Sequence, residues 1–139
     1  MAQTASTIRG TIVDSIEQEL LKFLQSPVHN QYLEIDSRLA HVYTRKGLHM
    51  INGVVEQTLD IAVITVADSH RGRGIGGDII RMMHHRNPFG ITFVESLLND
   101  SLYDYLKRNG WQDVARSNPP SVYLETGNEC TMRPLRSSN

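Results

Sequence analysis

Cysteine is nearly absent from this chain, since Cys130 is the only one among its 139 residues. A single thiol cannot form an internal disulfide or a thiolate-rich zinc site, so we expect a reducing, cytoplasmic environment. No apolar run approaches the roughly 18 residues of a membrane span, and the N-terminal segment lacks the apolar core of a signal peptide. The net charge of −1 excludes a broad electrostatic nucleic-acid binder. We therefore expect neither a membrane nor a nucleic acid among its partners.

The length and composition are those of one small domain. Domains usually contain about 100–200 residues, and 40% hydrophobic with 21% charged residues is typical of a globular protein. We expect a single domain over residues 1–139, with segments 1–8 and 127–139 loosely ordered.

Apolar spacing predicts one N-terminal helix followed mainly by strands. From Thr11 the apolar residues recur at three- and four-residue steps until Ser26-Pro27 ends the helix. Lys46-Gly47 and Asn52-Gly53 are typical of turns. The strand candidates, in chain order, are Tyr32–Ile35, Leu39–Thr44, Leu48–Ile51, Val54–Gln57, Leu59–Val66, Ile91–Glu95, Trp111–Val114 and Ser121–Glu125.

The middle of the chain predicts a parallel crossover. Leu59–Val66 is almost continuously apolar and β-branched, as expected of a strand at the centre of a sheet. A glycine-rich loop and a helix ending at Asn87-Pro88 lead from it to the buried strand Ile91–Glu95. A second helix, capped by Asn99 or Asp100, extends through Arg108 to a left-handed end at Asn109-Gly110, and Trp111 is expected in the core. The class is α+β.

The glycine-rich loop, His70–Gly77, is the segment richest in functional signals. A glycine-rich turn that opens a helix presents backbone N–H groups to an anion, and glycine lets that anion touch the backbone. Four arginines and one acid lie nearby: Arg71, Arg73, Arg81, Arg86 and Asp78. We interpret the loop as a phosphate cradle. The alternatives are a purely structural turn and, for Arg81 and Arg86, a solvated helix face.

Two other phosphate-binding patterns also contain glycine-rich loops. The P-loop pattern fails because no Lys-Ser or Lys-Thr follows the last glycine. The dinucleotide fingerprint is satisfied literally by Gly72, Gly74 and Gly77, and Glu95 stands where a ribose-binding acid is found. That fold normally begins with this unit, whereas about 70 residues precede it here, so dinucleotide binding is kept as an alternative.

Val66 to Gly76 resembles motif A of the GNAT superfamily of N-acetyltransferases, with Arg71, Gly74 and Gly76 at the positions of its Arg/Gln-x-x-Gly-x-Gly/Ala core. The strand Ile91–Glu95, then Asn99 and Asn109-Gly110-Trp111, is similar to the pattern that follows in that family. The resemblance covers about 39–125. It implies a mixed central sheet with an antiparallel N-terminal ribbon, a parallel crossover after the glycine loop and helices on both faces. One N-terminal helix stands where the family usually has two.

The resemblance implies direct transfer of an acetyl group from acetyl-CoA to a primary amine. An open acceptor groove favours a protein lysine over a small amine as the acceptor. A second copy of the chain, forming a homodimer, is an alternative partner. A catalytically silent coenzyme- or protein-binding module is the alternative. The residues implied to bind the cofactor are Val66, Arg71, Gly72, Arg73, Gly74, Ile75, Gly76 and Asn99.

The same resemblance implies catalytic residues. A lysine-like amine is neutral only about one time in 10³ at pH 7, so a base is needed, and the family position for it is occupied by Asp60. The alternatives are Glu95, His49 and, for Asp60 itself, a solvent-facing acid at the start of a strand. The family's tyrosine acid is replaced by Leu106. Because Tyr103 lies one turn away on the same helix face, it is predicted to be the acid, with Tyr105 in the core.

Overall fold

The computed structural model describes residues 5–26, 31–37, 40–67 and 74–127. Within these ranges no helix is both long enough and apolar enough to span a membrane. In chain order the elements are α1 (Ala5–Gln25), β1 (Tyr32–Asp36), β2 (Ala40–Ile51), β3 (Val54–Val66), α2 (Ile75–Arg86), β4 (Ile91–Val94), α3 (Asp100–Arg108), β5 (Gln112–Asp113) and β6 (Val122–Glu125).

The strands form one mixed sheet in the order β1-β2-β3-β4-β6-β5. The β3 and β4 strands are parallel and are joined by α2, whereas the other neighbours are antiparallel. The predicted α+β class, the parallel crossover and the central position of β3 are confirmed. A dinucleotide-binding fold requires several successive parallel strands, so this sheet does not support that alternative.

The helices of the described part pack on one face of the sheet. Their buried side chains join one apolar cluster with Leu59 and Ile61 of β3 and Val94 of β4. Successive strand residues point to opposite faces, which fixes the face that these residues occupy. The predicted placement of helices on both faces is therefore corrected for the described residues.

The opposite face carries a smaller apolar cluster formed by Ile51, Ile91, Phe93 and Tyr123. The imidazole of His49 stacks on the ring of Phe93, with 3.9 Å between ring centroids and 6° between planes. Asp60 and Thr58 share this face, because they alternate with Leu59 and Ile61 along β3.

The α1 helix differs from the sequence-based expectation at its start, whereas both ends of α3 agree with it. The α1 helix begins at Ala5 rather than Thr11. The side chain of Asn99 caps α3 by accepting a hydrogen bond from the N–H of Leu102 at 3.0 Å. At the other end of α3 only Gly110 is left-handed, with φ of 93°.

The predicted turn at Lys46-Gly47 is absent, because β2 continues without interruption from Ala40 to Ile51. A Cβ at Gly47 would lie 2.3 Å from Oδ2 of Asp60, on the neighbouring strand. The glycine therefore serves a close approach between strands rather than a turn. The reversal occurs at Asn52-Gly53, where both residues have positive φ.

A β-bulge interrupts the pairing of β2 with β3. Tyr43 pairs with Val63 and the next residue, Thr44, pairs with Ile61, so Ala62 is the extra residue. After a bulge the side chains that face a given side shift by one position. Ile64 and Val66 consequently pack against the same cluster as Ile61.

The close approach at Gly47 predicts a large loss of stability in Gly47→Ala. The carboxylate that the new methyl would meet is buried and held by other side chains, so we expect about 2 kcal/mol or more of destabilisation. Gly10→Ala is the matched control, because nothing lies within 4 Å of a Cβ there and alanine favours a helix by up to about 1 kcal/mol. Thermal unfolding measures the stability of both variants. Equal stability of the two variants would contradict the close approach.

Candidate functional site

The main cleft opens where β3 and β4 part. The last paired residues are Ile61 and Val94, and the N–H of Glu95 still donates to the carbonyl of Ile61 at 3.0 Å. Beyond this point β3 continues to Val66, whereas β4 has ended. The resulting cleft has a volume of about 930 Å³, within the size range of ligand pockets.

Backbone and helix ends form much of the cleft wall. The segment 61–66 of β3 lines one side, and residues of α3 with the loop before it, including Asn99, Tyr105 and Arg108, line the other. The first turn of α2 contributes Gly74–Gly77. This wall combines apolar side chains with oriented peptide groups, a composition suited to a long, partly polar ligand.

The N-terminus of α2 opens directly onto the cleft. Gly74 precedes the helix with φ of 76°, and no side chain of the described residues caps the first turn. The early N–H groups of a helix have no partner within the helix and carry its positive dipole end. A Cβ on Gly76 would have Val66 Cγ2 at 4.0 Å as its nearest neighbour, so this surface has room for a ligand.

The structure brings together five of the residues that were predicted to bind the cofactor. Val66, Gly74, Ile75, Gly76 and Asn99 all line the cleft. Their role in cofactor binding stays a prediction. The remaining members, Arg71, Gly72 and Arg73, lie outside the described residues.

The three candidate bases converge in one polar cluster on the sheet face opposite the described helices. One oxygen or nitrogen from each of His49, Asp60 and Glu95 lies within 4.8 Å of the other two. They come from β2, β3 and the residue after β4, so only the sheet register brings them together. Sequence spacing alone does not predict this convergence.

Asp60 is the buried centre of that cluster, with 1% of its surface exposed. The Thr58 hydroxyl donates to Oδ1 at 2.6 Å, and His49 Nε2 lies 2.9 Å from Oδ2. Arg45 Nε lies 3.4 Å from the same Oδ2. The alternative of a solvent-facing acid at the start of a strand is therefore excluded.

Arg45 also binds Glu95, through an ion pair from its Nη2 to the Glu95 carboxylate. The guanidinium thus contacts both carboxylates of the cluster. Although the His-Asp-Glu grouping has metal-like spacing, a fixed positive charge already compensates the two anions. We therefore interpret this grouping as an ion-pair network rather than a metal site.

The two tyrosines of α3 occupy different environments. The Tyr103 hydroxyl donates to Asp113 Oδ1 at 2.7 Å, and Tyr103 is not among the cleft-lining residues. This hydrogen bond raises the pKa of Tyr103 and lowers the pKa of Asp113, to which Lys107 also donates. The predicted role of Tyr103 as the acid finds no support in this placement.

Tyr105 is buried in the core, as predicted, and it also lines the cleft. Burial raises the pKa of Tyr105, and the negative charge of Asp78 raises it further. This second role was not predicted from the sequence. A signal existed, because Leu102, Tyr105 and Arg108 recur at three-residue steps and all three line the cleft.

The pairing of Tyr103 with Asp113 predicts that replacing the tyrosine changes the pKa of one carboxyl group, that of Asp113. In Tyr103→Phe the pKa of Asp113 should rise, because the hydrogen bond that stabilises its charged form is lost. A depressed carboxyl pKa stabilises the fold above the unfolded pKa, so the variant should lose a little stability near neutral pH and none in strong acid. Carboxyl NMR titration measures the shift. An unchanged pKa of Asp113 would contradict the contact.

No protein-family model and no curated protein matches the chain. Solved structures do match. One is a tyrosine-to-phenylalanine variant of the AtaT toxin, bound to the C-terminus of the antitoxin AtaR and to acetyl-CoA. It is 14% identical to this chain, with a TM-score of 0.54, and the match covers 66% of this chain and 61% of the AtaT chain. The KacTA–DNA complex is 14% identical with a TM-score of 0.55, over 86% and 82%.

These similarities concern the fold. The chain spans about three-fifths of the length of the AtaT chain that it matches. Both structures have a fold of the GNAT type. The comparison therefore confirms, at the level of the fold, the resemblance to the GNAT superfamily of N-acetyltransferases.

Proposed function

We propose that this chain is an acetyl-CoA-dependent N-acetyltransferase that transfers an acetyl group to a primary amine. The observation that carries the proposal is the cleft between β3 and β4, which joins an extended backbone edge to the N-terminus of a helix. Solved structures of the same fold contain acetyl-CoA, which supports the choice of ligand.

The two ends of the cleft suit the two ends of that ligand. The first turn of α2 offers N–H groups to the pyrophosphate, with Gly74 and Gly76 leaving the backbone accessible. The amide-containing arm can lie along segment 62–66 like an added strand, because β4 has ended there. A main-chain N–H near Val66 would then receive the thioester oxygen and stabilise its developing charge.

For the acceptor we propose a lysine on a protein, in the reducing cytoplasm that a single cysteine favours. A single helix, α1, precedes the sheet in the described part of the chain, and from this we infer a reduced wall on the acceptor side. An open groove of this kind suits a side chain presented by a larger molecule. This preference rests on analogy of fold.

Tyr105 is the proposed proton donor to the departing thiolate. It lines the cleft, and its raised pKa keeps the hydroxyl protonated at neutral pH. As the neutral amine nitrogen forms its bond to the acetyl carbon, the carbon–sulfur bond breaks, the sulfur takes the hydroxyl proton and the nitrogen releases one proton to solvent. Solvent then restores the proton to the phenolate.

A negative charge at the helix end should weaken cofactor binding. Gly76→Glu should fold normally, because a side chain has room there and an acid in the first turn of a helix is favourable. We expect wild-type protein to bind acetyl-CoA with micromolar affinity in calorimetry and the variant to bind at least about tenfold more weakly. Gly127→Glu adds the same charge at an exposed site away from the cleft and should bind normally. If wild-type protein binds NADH and not acetyl-CoA, the proposal fails.

Replacing each of the two tyrosines should show whether the chain is an enzyme or a catalytically silent binding module. Tyr105→Phe should lower kcat by about 10²-fold with the KM for acetyl-CoA unchanged, because the lost hydroxyl acts only in the transition state. Tyr103→Phe is the matched control and should turn over normally. The turnover of both variants is measured as release of the CoA thiol, with n-butylamine and poly-lysine as probe acceptors. Equal rates in the two variants would remove Tyr105 from the mechanism, and binding without any turnover would favour the silent module.

A further inference from the structure

The hairpin of β2 and β3 extends beyond the rest of the described sheet. The β1 strand pairs with β2 only up to Arg45, and β4 pairs with β3 only from Thr58 onward. Between these two positions the strands pair with each other as far as the turn at Asn52-Gly53. Residues 46–57 therefore form a two-stranded ribbon, which we call the distal ribbon.

One face of the distal ribbon carries an exposed apolar patch. Lys46 Nζ lies 4.7 Å from the centroid of the Phe23 ring of α1, which identifies the helix side of the ribbon. Leu48 and Met50 share that side because side chains alternate along a strand, and Val55 shares it because it pairs with Met50. The three apolar side chains are 71%, 70% and 60% exposed, in chain order. Adjacent exposed apolar side chains of this kind indicate an interaction surface.

The outer backbone edge of the same ribbon is open. The N–H of Lys46 donates away from β3, to the carbonyl of Gln31 at 2.8 Å. Because backbone groups alternate between the two edges of a strand, Leu48 and Met50 present their N–H and C=O groups on that same outer edge. No other strand of the described residues pairs with this edge over the segment Gly47–Ile51. The edge can therefore accept a further strand.

The two outermost strands of the described sheet are protected against such pairing, and the distal ribbon is not. Charged side chains and short length are common means of preventing edge-to-edge association. The β1 strand carries Glu34 and Asp36, and β5 has only two residues, one of which is Asp113. The segment Gly47–Ile51 contains no aspartate, glutamate, lysine or arginine. Nothing in its charge opposes the approach of a second strand.

This segment is complementary to a second copy of itself. Two copies that run antiparallel about a twofold axis at His49 place Leu48 of each opposite Met50 of the other. Opposite residues face the same side of a sheet, so Leu48, Met50 and Val55 of both copies would form one apolar cluster. A shift of one residue would instead place Leu48 opposite His49 and mix apolar with polar side chains. The register centred on His49 also uses the whole open edge.

We propose that the distal ribbon is a dimerisation surface, on which Gly47–Ile51 pairs with the same segment of a second copy and joins the two sheets edge to edge. Hydrogen bonds between Leu48 and Met50 in both directions connect the copies, and the apolar patch is covered. Five paired residues bury less than the roughly 1,600 Å² of a standard interface, so we expect a Kd of about 10 µM. The cleft begins at Ile61, toward the other end of β3, and stays open in both copies.

The first test measures the oligomeric state of the full chain by sedimentation velocity. Wild-type protein should change from monomer to dimer between about 1 and 100 µM. Met50→Lys should weaken dimerisation at least about tenfold, because it brings two charges into the apolar cluster. Val54→Lys is the matched control, since Val54 is 57% exposed on the same ribbon but pairs with Ile51 on the opposite face. It should dimerise as wild-type protein does, and thermal unfolding verifies that both variants are folded.

The second test measures the register through disulfide formation, in a Cys130→Ser background. The two copies of position 49 would lie directly opposite, with Cα atoms about 4.5 Å apart, which suits a disulfide. The two copies of position 48 would be diagonal neighbours about 7–8 Å apart, which is too far. Mild oxidation should therefore cross-link His49→Cys at least about tenfold faster than Leu48→Cys.

Each of three results would overturn the proposal. Wild-type protein that is monomeric at about 100 µM would exclude self-association and leave the patch to a different protein. A dimer that Met50→Lys does not weaken would place the contact elsewhere on the chain. Cross-linking at equal rates in His49→Cys and Leu48→Cys would exclude the register centred on His49. None of these measurements depends on acetyl transfer, so the proposed function is tested separately.

Discussion

The buried charge of Asp60 is the constraint on which the polar face of the sheet depends. An anion with 1% of its surface exposed must be compensated by donors and by positive charge, or folding would be strongly opposed. Thr58, His49 and Arg45 supply that compensation. Gly47 leaves the space that the carboxylate occupies, so one buried acid accounts for a glycine in the middle of a long strand.

The separation of β3 from β4 is the second organising feature. Parallel pairing ends at Ile61 and Val94, and from there the two strands bound a cleft instead of a continuous sheet. The bulge at Ala62 lies at this same point, on the other edge of β3. Because the polar cluster also ends here, at Glu95, an accessible carboxylate, an extended backbone edge and a helix N-terminus surround one cavity. The proposed acetyl transfer depends on the meeting of these three features.

Much of the fold was predictable because its signals are local. Continuous β-branched residues indicated the central strand, glycines indicated the start of α2, and Asn87-Pro88 indicated its end. Lys46-Gly47 shows where such reasoning fails. Its composition is that of a turn, yet the reason for the glycine lies on another strand, thirteen positions along the chain at Asp60. A local pattern cannot distinguish these two uses of glycine.

By itself, the sequence determined the class of fold, the phosphate-cradle hypothesis and the acids and tyrosines worth considering. Only the tertiary structure decided which of them meet. It placed three candidate bases in one cluster, directed Tyr103 toward Asp113 and left Tyr105 against the cleft. The physical reason is that helix and strand periodicities are encoded over a few neighbouring residues. Contacts across a sheet depend instead on register, on a bulge and on where two strands stop pairing.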